Sequence, residues 1–178
     1  LMAAVSALGR SSDDGATATA DLLALARNRA LPARVRSEAL LGLGARPLPD
    51  PAALLALLND LERSVRLETA RALRPHGSLP EVADGLRRRL RSEEQRVPPD
   101  AALVESLRYA LDGPATQARR PSSLDDWIRV AAEGGDVEAG RRVFYSATTG
   151  CAACHSVGNR GGALGPDLSQ VRLGSDRA

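Results

Sequence analysis

Two thiols and an imidazole stand together near the end of this 178-residue chain, in the run Cys151-Ala152-Ala153-Cys154-His155. Cysteines at this spacing on a helix sit one turn apart on a common face, and the histidine follows directly. The spacing is that of a covalent haem attachment site. Two thiols add to the two vinyl groups of the porphyrin, and the histidine reaches the iron as an axial ligand. Other chemistries share parts of the pattern. A zinc site needs about four ligands in tetrahedral array, and beyond these three the only other histidine is His76, far upstream. A thioredoxin-like dithiol expects a strand before the motif and a βαβ pattern around it. Here the preceding residues read as helix and the following ones as glycine-rich loop. Both cysteines of the chain fall inside the pentapeptide, so none remains for a disulfide elsewhere. A chance match is the bland reading that the flanks must decide.

The flanks carry two further motifs. Gly-Asp-Val-Glu-Ala-Gly-Arg-Arg-Val-Phe occupies 135–144 and Gly-Pro-Asp-Leu occupies 165–168. With three motifs in this order, residues 135–178 resemble the class I c-type cytochromes. That resemblance implies a partial cytochrome c domain with haem c iron as its cofactor. It makes Cys151 and Cys154 the thioether residues and His155 the metal ligand. It implies a first helix capped by Asp136, with Glu138 in the first turn, where the helix dipole favours an acid. Gly140 and Phe144 then share one face, the glycine admitting a second helix and Phe144 packing beside the haem. The Pro166 carbonyl accepts a hydrogen bond from the second ring nitrogen of His155, which fixes the imidazole tautomer. Leu168 covers the haem from the histidine side. Without the haem motif, Gly165 and Pro166 would read as an ordinary turn.

The family's sixth ligand, a methionine downstream of the histidine, has no counterpart before Ala178. The one methionine, Met2, lies in an apolar helical run and reads as core filling. His76, in Arg-Pro-His-Gly-Ser, reads as a solvated turn residue. With Leu1 opening as if mid-helix, the chain reads as a segment of something longer, cut through its cytochrome domain. Gly140 and Phe144 are then expected to be uncovered. A five-coordinate haem enzyme or gas sensor, in which the sixth ligand is truly missing, is the alternative.

The elements that must carry this site are helical. The apolar fraction of 43% is mostly Ala, Leu and Val, and aromatics make up only 2%. Trp127, Phe144 and Tyr145 lie in the last third, near the haem motif, whereas residues 1–112 own just Tyr109. Those first residues contain a repeat, visible when 22–44 is laid on 52–74. Leu25, Ala26, Leu31, Val35, Arg36, Glu38 and Leu43 meet Leu55, Ala56, Leu61, Val65, Arg66, Glu68 and Leu73. Weaker copies flank it on both sides. Each unit reads as two helices separated by breakers such as Pro32, Pro47, Pro49 and Pro80. One such pair cannot bury its own apolar face, so an α-solenoid follows. The pattern resembles HEAT-like repeats, with a period shorter than their usual one. In that resemblance the valine of Val-Arg-x-Glu packs between repeats, and its arginine and glutamate form surface pairs. The fold class expected is therefore all-α: a HEAT-like α-solenoid over 1–112, a linker and connecting helix over 113–134, and the partial cytochrome domain over 135–178. Ser123 caps the connecting helix, with Asp125 and Asp126 in its first turn. Trp127 reads as interdomain packing or a haem-edge residue.

Charge excludes some partners. Residues 1–112 hold 16 arginines against 15 acids and the rest hold 8 against 7, so neither half offers a strong field for nucleic acid. Arg87, Arg88, Arg89 and Arg91 form a basic run without aromatics to stack bases, and read as a solvated face. No transmembrane stretch or signal peptide is visible. The order of solenoid, linker and haem c domain resembles large multidomain planctomycete-type proteins, in which a propeller similar to quinoprotein sugar dehydrogenases lies upstream. That likeness implies an electron carrier serving redox donor and acceptor proteins or an upstream dehydrogenase domain, and the cytochrome c resemblance, whose family attaches haem outside the bacterial cytoplasmic membrane, implies a periplasmic or otherwise extracytoplasmic location. A partner-binding solenoid with an incidental redox domain is the third reading.

Overall fold

Leucine spacing and proline punctuation set the helices of the computed structural model, which describes residues 4–5, 7–8, 16–44, 46, 48, 50–112, 121–145, 149–158 and 160–170. The chain divides into two units, residues 1–119 and 120–178. Met2 and the linker residues 113–120 lie outside the described residues.

In the first unit the described elements are α1 (Ala16–Arg27), α2 (Ala33–Leu43), a 3-10 helix (Pro51–Asn59), α3 (Arg63–Ala72), a 3-10 turn (Arg74–His76), α4 (Pro80–Glu94) and α5 (Ala101–Asp112). Pro51 and Pro80 stand at helix starts, where the missing N–H costs nothing and the fixed φ suits the helix. Asp50 adds a cap, its side chain accepting from the Ala53 N–H at 3.3 Å. Helices pair as α1 with α2, the 3-10 helix with α3, and α4 with α5. Successive pairs meet through α2 on α3, α3 on α5, and the 3-10 helix on α4. The interior is aliphatic: Leu22, Leu40, Leu43, Leu54, Leu58, Val65, Leu73, Leu86, Leu103 and Leu107 are all buried.

The thirty-residue register places equivalent residues in equivalent roles at some positions and not at others. Val35 and Val65, and Leu43 and Leu73, are buried on matching helices, whereas Leu61 stands in solvent. The first helix of the second repeat, Pro51–Asn59, departs from the α-helix expected there. Pro51, Leu54, Leu57 and Leu58 are buried, and residues three apart eclipse one another when the helix winds at three per turn. The tighter winding aligns Pro51, Leu54 and Leu57 on one stripe, with Leu58 buried as well.

The Val-Arg-x-Glu elements correct another expectation. Arg36, Glu38 and Glu68 are buried, not surface residues. The Arg36 guanidinium grips Asp60 with both prongs, Nη1 to Oδ1 at 3.0 Å and Nη2 to Oδ2 at 2.5 Å, and its Nε donates to the Ala26 carbonyl at 2.9 Å. The planar fork of arginine satisfies a buried carboxylate and a helix-end carbonyl together. The basic run is also divided. Arg87, Arg88 and Arg91 are exposed, but Arg89 is buried and donates to Leu58 O at 2.8 Å and to Glu93 Oε2 at 2.5 Å.

These contacts fix how the unit responds to acid. The hydrogen bond from Arg36 holds the Asp60 carboxyl below its ordinary range. Burial pushes Glu93 and Asp100 up, but the Asp100 N–H and Arg89 outweigh it at Glu93, and Arg63 and the Leu103 N–H outweigh it at Asp100. A carboxylate depressed in the folded state contributes stability above its unfolded pKa and loses it as pH falls through the folded value. The full chain is therefore expected to keep its helicity at about pH 5 and to lose stability below about pH 4. An acid titration by circular dichroism with its main loss between about pH 6 and 8 would contradict these assignments.

In the second unit the elements are α6 (Leu124–Ala132), α7 (Val137–Tyr145), α8 (Cys151–Cys154), β1 (Ser156–Val157), β2 (Arg160–Gly161) and a 3-10 turn (Leu168–Gln170). The Ser123 hydroxyl accepts from the Asp126 N–H at 3.1 Å and opens α6. Asp136 opens α7 in the same way, accepting from the Ala139 N–H at 3.0 Å. The two short strands pair antiparallel, Ser156 opposite Gly161. None of the described residues of this unit is buried. Its apolar side chains, Leu124, Ile128, Val137 and Leu164 among them, stand exposed without an interior of their own.

Candidate functional site

The thiols, the imidazole and the glycine-rich loop form one small assembly. Helix α8 is a single turn, entered through Gly150 at φ +68, a left-handed conformation that a side chain would strain. Both cysteines are free and exposed at either end of that turn. His155 follows in extended conformation, φ −102 and ψ 150, which takes its ring off the helix axis. The Pro166 carbonyl oxygen lies 3.0 Å from His155 Nδ1. A carbonyl can only accept, so Nδ1 carries the proton and Nε2 keeps its lone pair for a metal.

The loop from Gly161 to Gly165 is glycine-rich because backbone must press against this turn. The Gly162 N–H donates to Ala152 O at 2.9 Å and the Gly165 N–H to Cys154 O at 2.7 Å, satisfying carbonyls that a helix end leaves open. A Cβ at Gly162 would lie 2.0 Å from Ala153 O, and one at Gly165 would lie 2.6 to 3.1 Å from three atoms of the His155 ring. The sequence signal of a turn at Gly165 and Pro166 thus has a specific cause, which is the imidazole lying against it.

The remaining candidates sit around this core. Phe144, half-buried at the end of α7, meets Tyr145 edge to face with ring centroids 4.9 Å apart. The Arg160 guanidinium lies 3.8 Å over the Tyr145 ring, a cation–π contact that composition alone did not reveal. Leu168 opens the 3-10 turn and is partly exposed, and Gly140 has open space where a Cβ would stand. Sequence reasoning also missed Asp167. Its Oδ1 accepts from Ser169 Oγ at 2.7 Å, Ser169 N at 2.9 Å and Gly158 N at 3.2 Å. The Ser169 hydroxyl and N–H, with the Gly158 N–H, hold this carboxyl below its ordinary range against a smaller desolvation effect. The Asp-x-Ser spacing was the available signal, since a carboxylate reaching two residues ahead is a common turn device.

Other sites offer less. His76 belongs to the first unit, where burial lowers its pKa, so it is half-buried and not the solvated residue expected. Among the described residues no group of three His, Cys, Asp or Glu side chains is placed to hold a metal ion. A bare tetrahedral ion therefore lacks a donor set. A haem fits the residues present better: it needs only one protein nitrogen at the iron, and its other bonds to the chain are two thioethers. No helix among the described residues is long and apolar enough to cross a membrane.

No family profile, curated protein or solved structure matches this chain.

Proposed function

We propose that residues 135–178 bind haem c covalently and serve one-electron transfer, with the helical repeats of 1–112 as a HEAT-like scaffold or docking surface. The observation that carries this reading is the His155 ring, tied through Nδ1 to Pro166 O and free at Nε2, directly after two exposed thiols on one helical turn. When bound, haem iron supplies a couple between the ferrous and ferric states. The chain's own residues do the rest. Cys151 and Cys154 anchor the porphyrin edge, His155 presents Nε2, and Pro166 orients it and strengthens its electron donation. Phe144 and Leu168 offer apolar contact to a large flat group, which would also cover side chains now in solvent. The stacked order of helix pairs in the first unit supports the solenoid reading. The electron donor and acceptor are other redox proteins or an upstream dehydrogenase domain, in an extracytoplasmic compartment.

Pigment retention tests this. Chain matured by haem c machinery should stay coloured through acid–acetone precipitation, and the Cys151→Ala, Cys154→Ala double variant should lose its colour. A double variant that keeps its haem through extraction would overturn the covalent assignment.

A further inference from the structure

We propose that Asp167 is a positioning residue for His155, holding the Pro166 carbonyl against Nδ1 by fastening its loop to the backbone just after the histidine. The consequence for a metal rests on the haem reading, but the geometry belongs to the chain alone.

The Nδ1 bond joins His155 to Pro166, two residues that approach each other across a glycine-rich loop with few side chains to hold it. One hydrogen bond between exposed groups is worth only about 0.5–1.5 kcal/mol, too little to fix a loop by itself. A second tie lies one residue beyond Pro166 on one arm and three residues beyond His155 on the other. Asp167 follows Pro166, and its Oδ1 accepts from the N–H of Gly158, three residues beyond His155, at 3.2 Å. The same Gly158 N–H lies 3.3 Å from Ser169 Oγ. The Ser169 hydroxyl in turn donates to Asp167 Oδ1 at 2.7 Å, and the Ser169 N–H donates at 2.9 Å. One carboxylate oxygen therefore gathers three donors from two segments. The loop 158–167 is closed at its neck, and the 3-10 turn that starts at Leu168 is fastened to the same point. With the neck closed, the Pro166 carbonyl has little freedom to leave Nδ1. With it open, the described backbone ties that remain to the loop are the β1–β2 pairing and the bonds of Gly162 and Gly165 to α8.

The role requires an acceptor at this position and not a charge, which makes the test selective. In the full chain without haem, nitrogen-15 shifts of the His155 ring report which nitrogen carries the proton. Neutral histidine in water prefers the proton on Nε2, so an Nδ1–H form marks the Pro166 bond. Wild type and Asp167→Asn, whose amide oxygen can still accept, should show Nδ1–H. Asp167→Ala should revert to the Nε2–H form. An alanine variant that keeps Nδ1–H, or an asparagine variant that loses it as alanine does, would overturn the proposal. A wild type already in the Nε2–H form would do the same. Because no haem is present, these outcomes are separate from the failure of haem attachment, which mass measurement of matured chain detects on its own.

Discussion

Asp60→Ala is expected to lower the stability of the first unit by about 3–5 kcal/mol, the usual cost of stranding one partner of a buried ion pair. The side chains of Arg36 and Asp60 are both nearly inaccessible to solvent, so water cannot replace the lost oxygens. Arg36 would keep its bond to Ala26 O but leave two prongs of its fork unpaired and charged. Asp60 also accepts from the Glu62 N–H at 3.0 Å just before α3, so the start of that helix loosens as well. Against a total stability of about 5–15 kcal/mol for a domain, this is a large fraction. Urea unfolding of the full chain followed by helical circular dichroism measures it. Replacing both partners, Arg36→Met with Asp60→Leu, should recover much of the loss, because an apolar pair carries no stranded charge. A single variant within about 0.5 kcal/mol of wild type would mean the pair is open to solvent.

In haem-loaded chain, Gly165→Ala is expected to leave the fold and the proposed thioethers intact while disturbing His155 as the proposed ligand. The backbone at Gly165 makes no demand for positive φ, since only Gly134, Gly150, Gly158 and Gly161 have it among the described residues. The obstacle to a methyl group is the imidazole ring itself, whose atoms would lie within 3.1 Å. The ring can move, so folding loses little. Its movement breaks the alignment with Pro166 O and turns Nε2 with it. Loss of such an orienting contact typically weakens metal ligation about 10–100-fold. In haem-loaded chain, acid displacement of His155, followed by the Soret band, should therefore occur at a pH higher by about one to two units. An unchanged midpoint would mean that Gly165 does not set the ring's position.

Much of the first unit was legible because its helices are written locally. Leucines at three- and four-residue spacing and prolines at helix starts place α2 and α4, and the thirty-residue shift picks out Val35 with Val65 and Leu43 with Leu73. The buried arginines were not legible. Arg36 looks like any exposed helix residue, and its partner Asp60 lies 24 residues away with no pattern linking them. The 3-10 winding of Pro51–Asn59 was hidden as well, since Leu54, Leu55, Leu57 and Leu58 suit either period. At the candidate site, Cys151, Cys154 and His155 declare themselves by type and spacing, and Ser123 and Asp136 by their place before helices. The loop contacts do not. Gly165 reads as a turn until the imidazole is seen against it, and Asp167 matters only through where Gly158 and Ser169 are brought.

The most direct measurement is the mass of the Cys151–His155 peptide from chain produced alongside haem c maturation machinery. The expected peptide is heavier by one haem, attached at both sulfurs and resistant to reducing agents. Recovery of that peptide with two unmodified thiols, from cells that attach haem to a control cytochrome, would contradict it.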